Sequence, residues 1–166
     1  MSDSQREFMQ QVSKVIVETV CSTVNTLFSI PLKSEEVAGI DKICDSDFIC
    51  LVRLHDGEET ATVRYGFEYS LMRRLVTAVY SEEMANDKAV LQDAGSEVAN
   101  IVTGKVKEFI NAQGHNLTAD IPATIEGPFN EEEHDQTIDL IFYNAEDHLV
   151  VDVELGFSGA DKSAAR

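Results

Sequence analysis

Several residue types are scarce in this chain of 166 residues, and each scarcity argues against a class of protein. The chain has no tryptophan, only three prolines and three cysteines, Cys21, Cys44 and Cys50. An odd number of cysteines in apolar surroundings favours buried free thiols of a cytosolic protein, with a disulfide or a metal site as the alternative. No apolar run approaches the roughly 18 residues of a membrane span. The polar, acidic N-terminus lacks the basic and then apolar pattern of a signal peptide.

Basic residues are scarce as well. Thirteen lysines and arginines stand against 30 aspartates and glutamates, which gives a net charge of −17. Such a surface repels phosphate backbones and anionic lipids, so nucleic acid and membranes are poor partner candidates. Solubility is the simplest interpretation of the acidity, and partner choice is the alternative. The four histidines lie on predicted turns and strand ends without the spacing of metal ligands, so we expect no metal site.

Hydrophobic periodicity predicts the helices and strands. Apolar residues at a period of 3.6 predict helices, and alternation with turn signals predicts strands. The predicted helices cover residues 5–28, 68–80 and 87–112. The predicted strands cover residues 37–43, 47–54, 59–65, 116–126, 136–143 and 148–155. "SEEMAND" is interpreted as a break, Asn86-Asp87 supplies N-cap chemistry for the long helix, and Gly114 lies just after it.

These elements follow the order helix, three strands, helix, then helix, three strands, which indicates two related halves. The long helices must cover a sheet, so we predict one α+β domain over residues 1–157. The sheet is antiparallel or mixed, in a two-layer or sandwich-like arrangement. The small, polar residues 158–166 are expected to form a flexible tail.

One edge of the long helix carries a row of residues that packing does not require. Asp93, Glu97, Asn100 and Gly104 fall within roughly 60° of arc, and Glu97 and Asn100 are neighbours at i, i+3. A helical glycine costs about 1 kcal/mol relative to alanine. Close helix packing explains Gly95 on the apolar face, whereas Gly104 on the polar edge would let another surface approach the helix. An ordinary solvated edge is the alternative interpretation.

The segment "DAGSEVANIVTGKVKEFINAQGHNLTADIPATIEG", residues 93–127, resembles the signature of the CheX/CheC/FliY family of bacterial chemotaxis phosphatases. That signature is Asp or Ser, three residues, Glu, two residues, Asn, and a Pro some twenty residues later. The matching residues here are Asp93, Glu97, Asn100 and Pro122. The order of elements also resembles the family up to about residue 157, which implies a CheX/CheC-like fold.

The resemblance implies a phosphatase that dephosphorylates the phosphoaspartate of a CheY-type response regulator in the cytoplasm. Asn100 would then orient the attacking water, and Glu97 would pair with the regulator's lysine. Asp93, Gly104 and Pro122 would contact the partner. The protein would need no cofactor of its own, because the regulator supplies Mg²⁺.

The first helix carries only a degenerate version of the motif. Lys14, Glu18 and Cys21 occupy the corresponding positions, with a thiol in place of the catalytic amide. A thiol does not orient a water as an amide does. A single site therefore favours the CheX branch over the CheC branch, which has the motif in both long helices.

Two other functions stay open at this point. One is a CheX-like receiver-binding adaptor without significant catalysis, and the other is an unrelated enzyme with Asp93 and Glu97 as paired acids. The resemblance also implies a homodimer. The strands at 136–143 and 148–155 have apolar content that an unpaired sheet edge tolerates poorly, so we expect at least one of them at the dimer interface.

Overall fold

The computed structural model describes residues 2–37, 43–129 and 137–157. The helices in this part of the chain are α1 (Asp3–Phe28), α2 (Tyr69–Val79), α3 (Glu82–Ala85) and α4 (Lys88–Ala112). The strands are β1 (Lys33–Val37), β2 (Phe48–Asp56), β3 (Glu59–Phe67), β4 (Thr118–Ala119), β5 (Ala123–Glu126), β6 (Thr137–Asn144) and β7 (Asp147–Leu155). A short 3₁₀ turn covers Ile43–Asp45. None of the described helices has both the length and the apolar character needed to cross a membrane.

The described strands form one antiparallel sheet. Its order is β1-β6-β7-β3-β2, and the short strands β4 and β5 both pair with the outer side of β2. The hairpins β2–β3 and β6–β7 meet where β3 pairs with β7. The first strand of each half pairs with the hairpin of the other half: β1 with β6, and β4 and β5 with β2. This exchange fits the two related halves expected from the element order.

The main core lies between one face of the sheet and the helices, so the predicted α+β fold is confirmed. The long helices α1 and α4 pack against each other and contribute one apolar face each. Asp87 caps α4 as expected, because its carboxylate accepts a hydrogen bond of 2.9 Å from the Ala89 amide. Gly114 follows the helix with a φ of 98°, a left-handed conformation that glycine adopts without strain.

Gly95 determines how closely α4 approaches the sheet. A Cβ atom at this position would lie 3.0 Å from a ring carbon of Phe48 and 3.2 Å from one of Phe67. These two rings stack with their centroids 5.1 Å apart. The helix backbone therefore rests directly on the aromatic pair, which confirms the interpretation of Gly95 as a packing residue.

One strand prediction lies mostly outside the described residues, and another is wrong in its extent. Of the strand predicted at 37–43, residues 38–42 lie outside the described part of the chain, Val37 is the last residue of β1, and Ile43 begins the 3₁₀ turn. The sequence pattern does not predict β1 itself, because the charged edge strand KSEEV is held by backbone bonds and lacks apolar alternation. The strand predicted at 116–126 is divided into β4 and β5, with Pro122 in the gap, because proline has no N–H for a sheet bond.

Two further expectations need correction. The segment "SEEMAND" is not a plain break, because Ser81 caps the short helix α3 by accepting a hydrogen bond of 3.2 Å from the Met84 amide.

The late strands β6 and β7 each have a neighbour on both sides within the single chain, so they are not unpaired edges. Within the described sheet the free edges belong to β1 and to β4 and β5. The predicted tail, residues 158–166, lies outside the described residues.

The two glycines of α4 provide a matched test of the packing. Gly104→Leu should raise the free energy of unfolding by about 0.5–1 kcal/mol, because leucine is the better helix former and nothing lies within 4 Å of a Cβ there. Gly95→Leu should lower it by about 2 kcal/mol or more, because the side chain overpacks Phe48 and Phe67. Urea denaturation of both variants measures the difference. Equal stabilities would contradict the close approach at Gly95.

Candidate functional site

The polar edge of α4 faces solvent as the sequence predicts. Asp93, Glu97, Asn100 and Gly104 are all exposed. Across the described residues, the side chains of Glu97 and Asn100 make no hydrogen bond or ion pair. Both groups are therefore available to a partner, while their backbone is fixed in the middle of a 25-residue helix.

Side-chain hydrogen bonds hold the neighbouring edge of α4 against β5. Gln92 Nε2 donates to Glu126 Oε1 at 2.8 Å, and the hydroxyls of Ser96 and Thr124 lie 3.3 Å apart. We call these two pairs the α4–β5 ladder. From one pair to the next, the helix advances by four residues and the strand by two. The helix rises about 6.0 Å over four residues and the strand about 6.6 Å over two, so the two rows of side chains stay level.

The next step of this register brings Asn100 level with Pro122, and both residues line one open groove. The first two steps pair polar side chains, but proline offers neither a polar side chain nor an N–H. Pro122 therefore shares the groove with Asn100 and offers its amide no polar side chain. This proline is one reason why the amide of Asn100 keeps its donor and acceptor free of partners among the described residues.

The far wall of the groove is the segment 119–122 between β4 and β5. Asp120 is fixed there, because its amide donates to the Arg53 carbonyl at 2.9 Å and its carboxylate lies 2.7 Å from His55 Nε2. Next to it, Ile121 is 90% exposed. Three carboxylates line the groove, those of Asp93, Glu97 and Asp120, and no lysine or arginine is among the described lining residues. Such a groove attracts cations, and its described lining offers no positive charge to balance a phosphate.

The buried side of α4 carries two polar anchors. The hydroxyls of Tyr65 and Thr103 lie 2.7 Å apart in the core, and burial raises the pKa of Tyr65, so this phenol stays neutral. Cys50 Sγ lies 3.6 Å from Ser96 Oγ and 3.7 Å from Thr124 Oγ1 beneath the ladder. These contacts fix the depth and rotation of the helix that presents the polar edge.

The two cysteines whose side chains are described, Cys21 and Cys50, are not activated as nucleophiles. Burial raises the pKa of both Cys50 and Cys21, so each remains a protonated thiol at neutral pH. Both are free, as expected, although Cys21 is only half-buried; the side chain of Cys44 lies outside the described part. Cys21 donates its S–H to the Leu32 carbonyl at 3.7 Å, and so the degenerate position in α1 is turned inward.

Metal ligands do not converge anywhere in the described residues. No group of three or more histidine, cysteine, aspartate or glutamate side chains there could hold a metal ion. His55 contacts Asp120, and His148 lies 3.2 Å from Glu68 in a separate pair.

Sequence reasoning missed the residues that set the register of the site. On the helix, Gln92, Ser96 and Asn100 follow one another at intervals of four residues. On the strand side, Pro122, Thr124 and Glu126 follow one another at intervals of two. A helical period in one segment and an alternating period in the other could have indicated two facing rows. Without knowing that α4 and β5 lie side by side, this signal cannot be distinguished from ordinary polar surface.

Several solved structures have the same fold as this chain. They include CheX from Vibrio vulnificus (TM-score 0.74, 17% identity, 87% of this chain and 99% of that chain). A CheC-like superfamily protein from Shewanella sp. PV-4 has a TM-score of 0.69 at 16% identity, over 92% of this chain and 97% of that one. A CheX–CheY–BeF3–Mg²⁺ complex from Borrelia burgdorferi has a TM-score of 0.68 at 12% identity, over 86% and 96%.

The family model described as "Chemotaxis phosphatase CheX" matches residues 48–143, which is more than half of the chain. The protein therefore belongs to the CheX family. The match includes the ladder, the polar edge of α4 and Pro122. No curated protein matches this sequence.

The α4–β5 ladder can be tested by a double-mutant cycle on Ser96→Ala and Thr124→Val. We expect a coupling free energy of about 0.5–1 kcal/mol, because a shared side-chain hydrogen bond is lost in either variant. Ser22→Ala on the exposed side of α1 is the control, since it makes the same change without loss of a bond among the described residues. A coupling of zero would mean that these hydroxyls do not hold α4 to β5.

Proposed function

We propose that this protein dephosphorylates a phospho-aspartyl receiver domain of the CheY type, with Asn100 and Glu97 as its catalytic residues. The observation that carries the proposal is the amide of Asn100, which has no partner among the described residues and lies on an exposed helix edge in the same groove as Pro122. Membership of the CheX family supports the reaction class, since the family is described as a chemotaxis phosphatase. The similar Borrelia burgdorferi structure, a complex of CheX with CheY, BeF3 and Mg²⁺, supports the partner class.

The charge of the groove supports a reaction in which the substrate protein, and not this chain, supplies the cations. A phosphoryl group needs cations to balance it, and the described lining residues include carboxylates but no lysine or arginine. The substrate must therefore bring its own cations, as a receiver domain does with its lysine and Mg²⁺. This protein then needs no metal of its own.

Asn100 would act on the nucleophile. Its amide oxygen accepts a hydrogen bond from a water and orients the water oxygen in line with the phosphorus. As the new oxygen–phosphorus bond forms, the bond from phosphorus to the aspartate oxygen breaks, which releases inorganic phosphate and a free carboxylate. A neutral amide suits this position, because a carboxylate would repel the phosphoryl oxygens.

Glu97 would align the two proteins. It lies one turn before Asn100, is free of partners among the described residues and carries negative charge. An ion pair with the receiver's lysine would place Asn100 over the phosphoaspartate. Asp93, Gly104 and Pro122 would border this contact, with Gly104 admitting the partner close to the helix backbone. The substrate class places the reaction in the cytoplasm.

Substitutions should separate these roles. Asn100→Ala should reduce turnover of a phosphorylated CheY-type receiver on the order of 100-fold or more, because a preorganised polar group is lost. Its binding to the beryllofluoride-activated receiver should change little. Glu97→Ala should weaken both binding and turnover, because the docking ion pair is lost. Phosphate release and titration calorimetry measure the two quantities.

Gly104→Leu is the control for docking without chemistry, since it should weaken binding while the protein stays folded. If Asn100→Ala dephosphorylates the receiver at the parental rate, the amide does not position the water. If the parental protein binds an activated receiver without accelerating phosphate release, it is the adaptor module instead of an enzyme.

We also propose that the chain forms a homodimer. The free sheet edges at β1 and at β4 and β5 offer unpaired backbone groups that a second copy can bond. Light scattering at micromolar concentration should therefore give twice the chain mass of 18.4 kDa. A mass of one chain under these conditions would refute the dimer.

A further inference from the structure

An apolar groove lies on the other side of the polar edge of α4. Its walls include four large apolar side chains that are exposed: Leu27 (39%), Val79 (46%), Tyr80 (61%) and Met84 (42%). They come from the ends of α1 and α2 and from α3. The phosphatase chemistry proposed above uses none of them. We call this set the apolar groove.

The clustering of these side chains is unusual for so acidic a protein. The described residues include six exposed large apolar side chains, and four of the six line this one groove. Its floor is formed by buried or half-buried apolar residues, namely Phe28, Val76, Val90 and Ala94. An apolar patch of this kind, rimmed by charge, is typical of a protein-binding surface.

The apolar groove is continuous with the candidate site. Asp93 and Glu97 line both grooves, so the polar edge of α4 is the ridge between them. A transient protein interface covers about 600–800 Å² on each partner, equivalent to a disc of roughly 14–16 Å radius. A partner whose lysine reaches Glu97 therefore also lies against the rim of the apolar groove, which Glu97 itself lines.

The charge around the apolar groove also restricts which partner can bind there. The residues that line the apolar groove include two acids, Asp93 and Glu97, and no lysine, arginine or histidine among those described. Glu82 and Glu83 directly precede Met84 on α3 and are exposed. An apolar side chain surrounded by basic residues fits this rim, whereas an acidic segment is repelled.

We propose that the apolar groove binds an apolar side chain of the same receiver domain that docks on Glu97 and Asn100. This inference rests on the proposed function, since the receiver is the partner. It assigns binding affinity mainly to Val79, Tyr80 and Met84, and chemistry to Asn100. Aromatic and apolar anchors beside a polar contact commonly supply most of the affinity of an interface.

The test compares the variant Val79→Ser/Met84→Ser with the parent in steady-state dephosphorylation of a phosphorylated CheY-type receiver. KM should rise about tenfold, and kcat at saturation should stay unchanged, because neither Val79 nor Met84 lines the groove that contains Asn100. Affinity for the beryllofluoride-activated receiver should fall by the same factor. Circular dichroism establishes that the variant is folded, and Met84→Gln alone serves if it is not.

Ile125→Ser is the matched control. Ile125 is 48% exposed, close to the 46% of Val79, but it faces away from Thr124 and α4 because successive strand residues point to opposite sides. KM and kcat should both be unchanged in this variant. A rise in KM equal to that of the groove variant would mean that general loss of apolar surface is responsible, which contradicts the proposal.

The outcomes separate this inference from the function on which it rests. If Asn100→Ala loses turnover while the groove variant keeps the parental KM, the phosphatase proposal stands and the groove proposal is wrong. If the groove variant changes the mass measured by light scattering and leaves KM unchanged, the groove holds a second copy of this chain. If the parental protein accelerates no receiver's dephosphorylation and binds none, both proposals are refuted.

Discussion

The contact between Gly95 and the stacked rings of Phe48 and Phe67 is the constraint on which the site depends. Because no side chain intervenes, α4 lies directly on the sheet, and its rotation is fixed by the apolar residues on either side of the glycine. The opposite edge of the helix must then face solvent. This close approach is also what brings Ser96 and Gln92 within hydrogen-bond distance of β5.

The exchange of strands between the two halves provides the second wall of the site. The chain leaves α4 and crosses to pair with β2, which belongs to the first half. Pro122 interrupts this pairing, and the interruption lies at the position where the ladder would otherwise meet Asn100. The same residue therefore interrupts the strand and offers no side-chain partner to the amide of Asn100, which is free among the described residues. The His55–Asp120 contact then keeps the interrupted segment in place.

The surface around α4 combines two kinds of interaction. On one side the carboxylates of Asp93, Glu97 and Asp120 line a groove without lysine or arginine among the described residues, and on the other side an apolar groove runs between the helix ends. Electrostatic attraction acts at long range and sets orientation, whereas apolar burial supplies affinity at contact. A single helix edge divides the two, so a partner that contacts Glu97 lies over both grooves.

The sequence by itself determined the three longer helices, the strands of the two hairpins and the exposed edge of α4, because these depend on local periodicity, capping and turn residues. It also determined the candidate site residues Asp93, Glu97 and Asn100, whose spacing places them on one helix edge. The tertiary structure decided which segments face each other. The charged strand β1, the interior position of β6 and β7, the pairing of Gln92 and Ser96 with β5, and the apolar groove all arise from contacts between residues far apart in the chain. The hydrophobic periodicity of a single helix or strand cannot predict such contacts, because they depend on how the elements pack against one another.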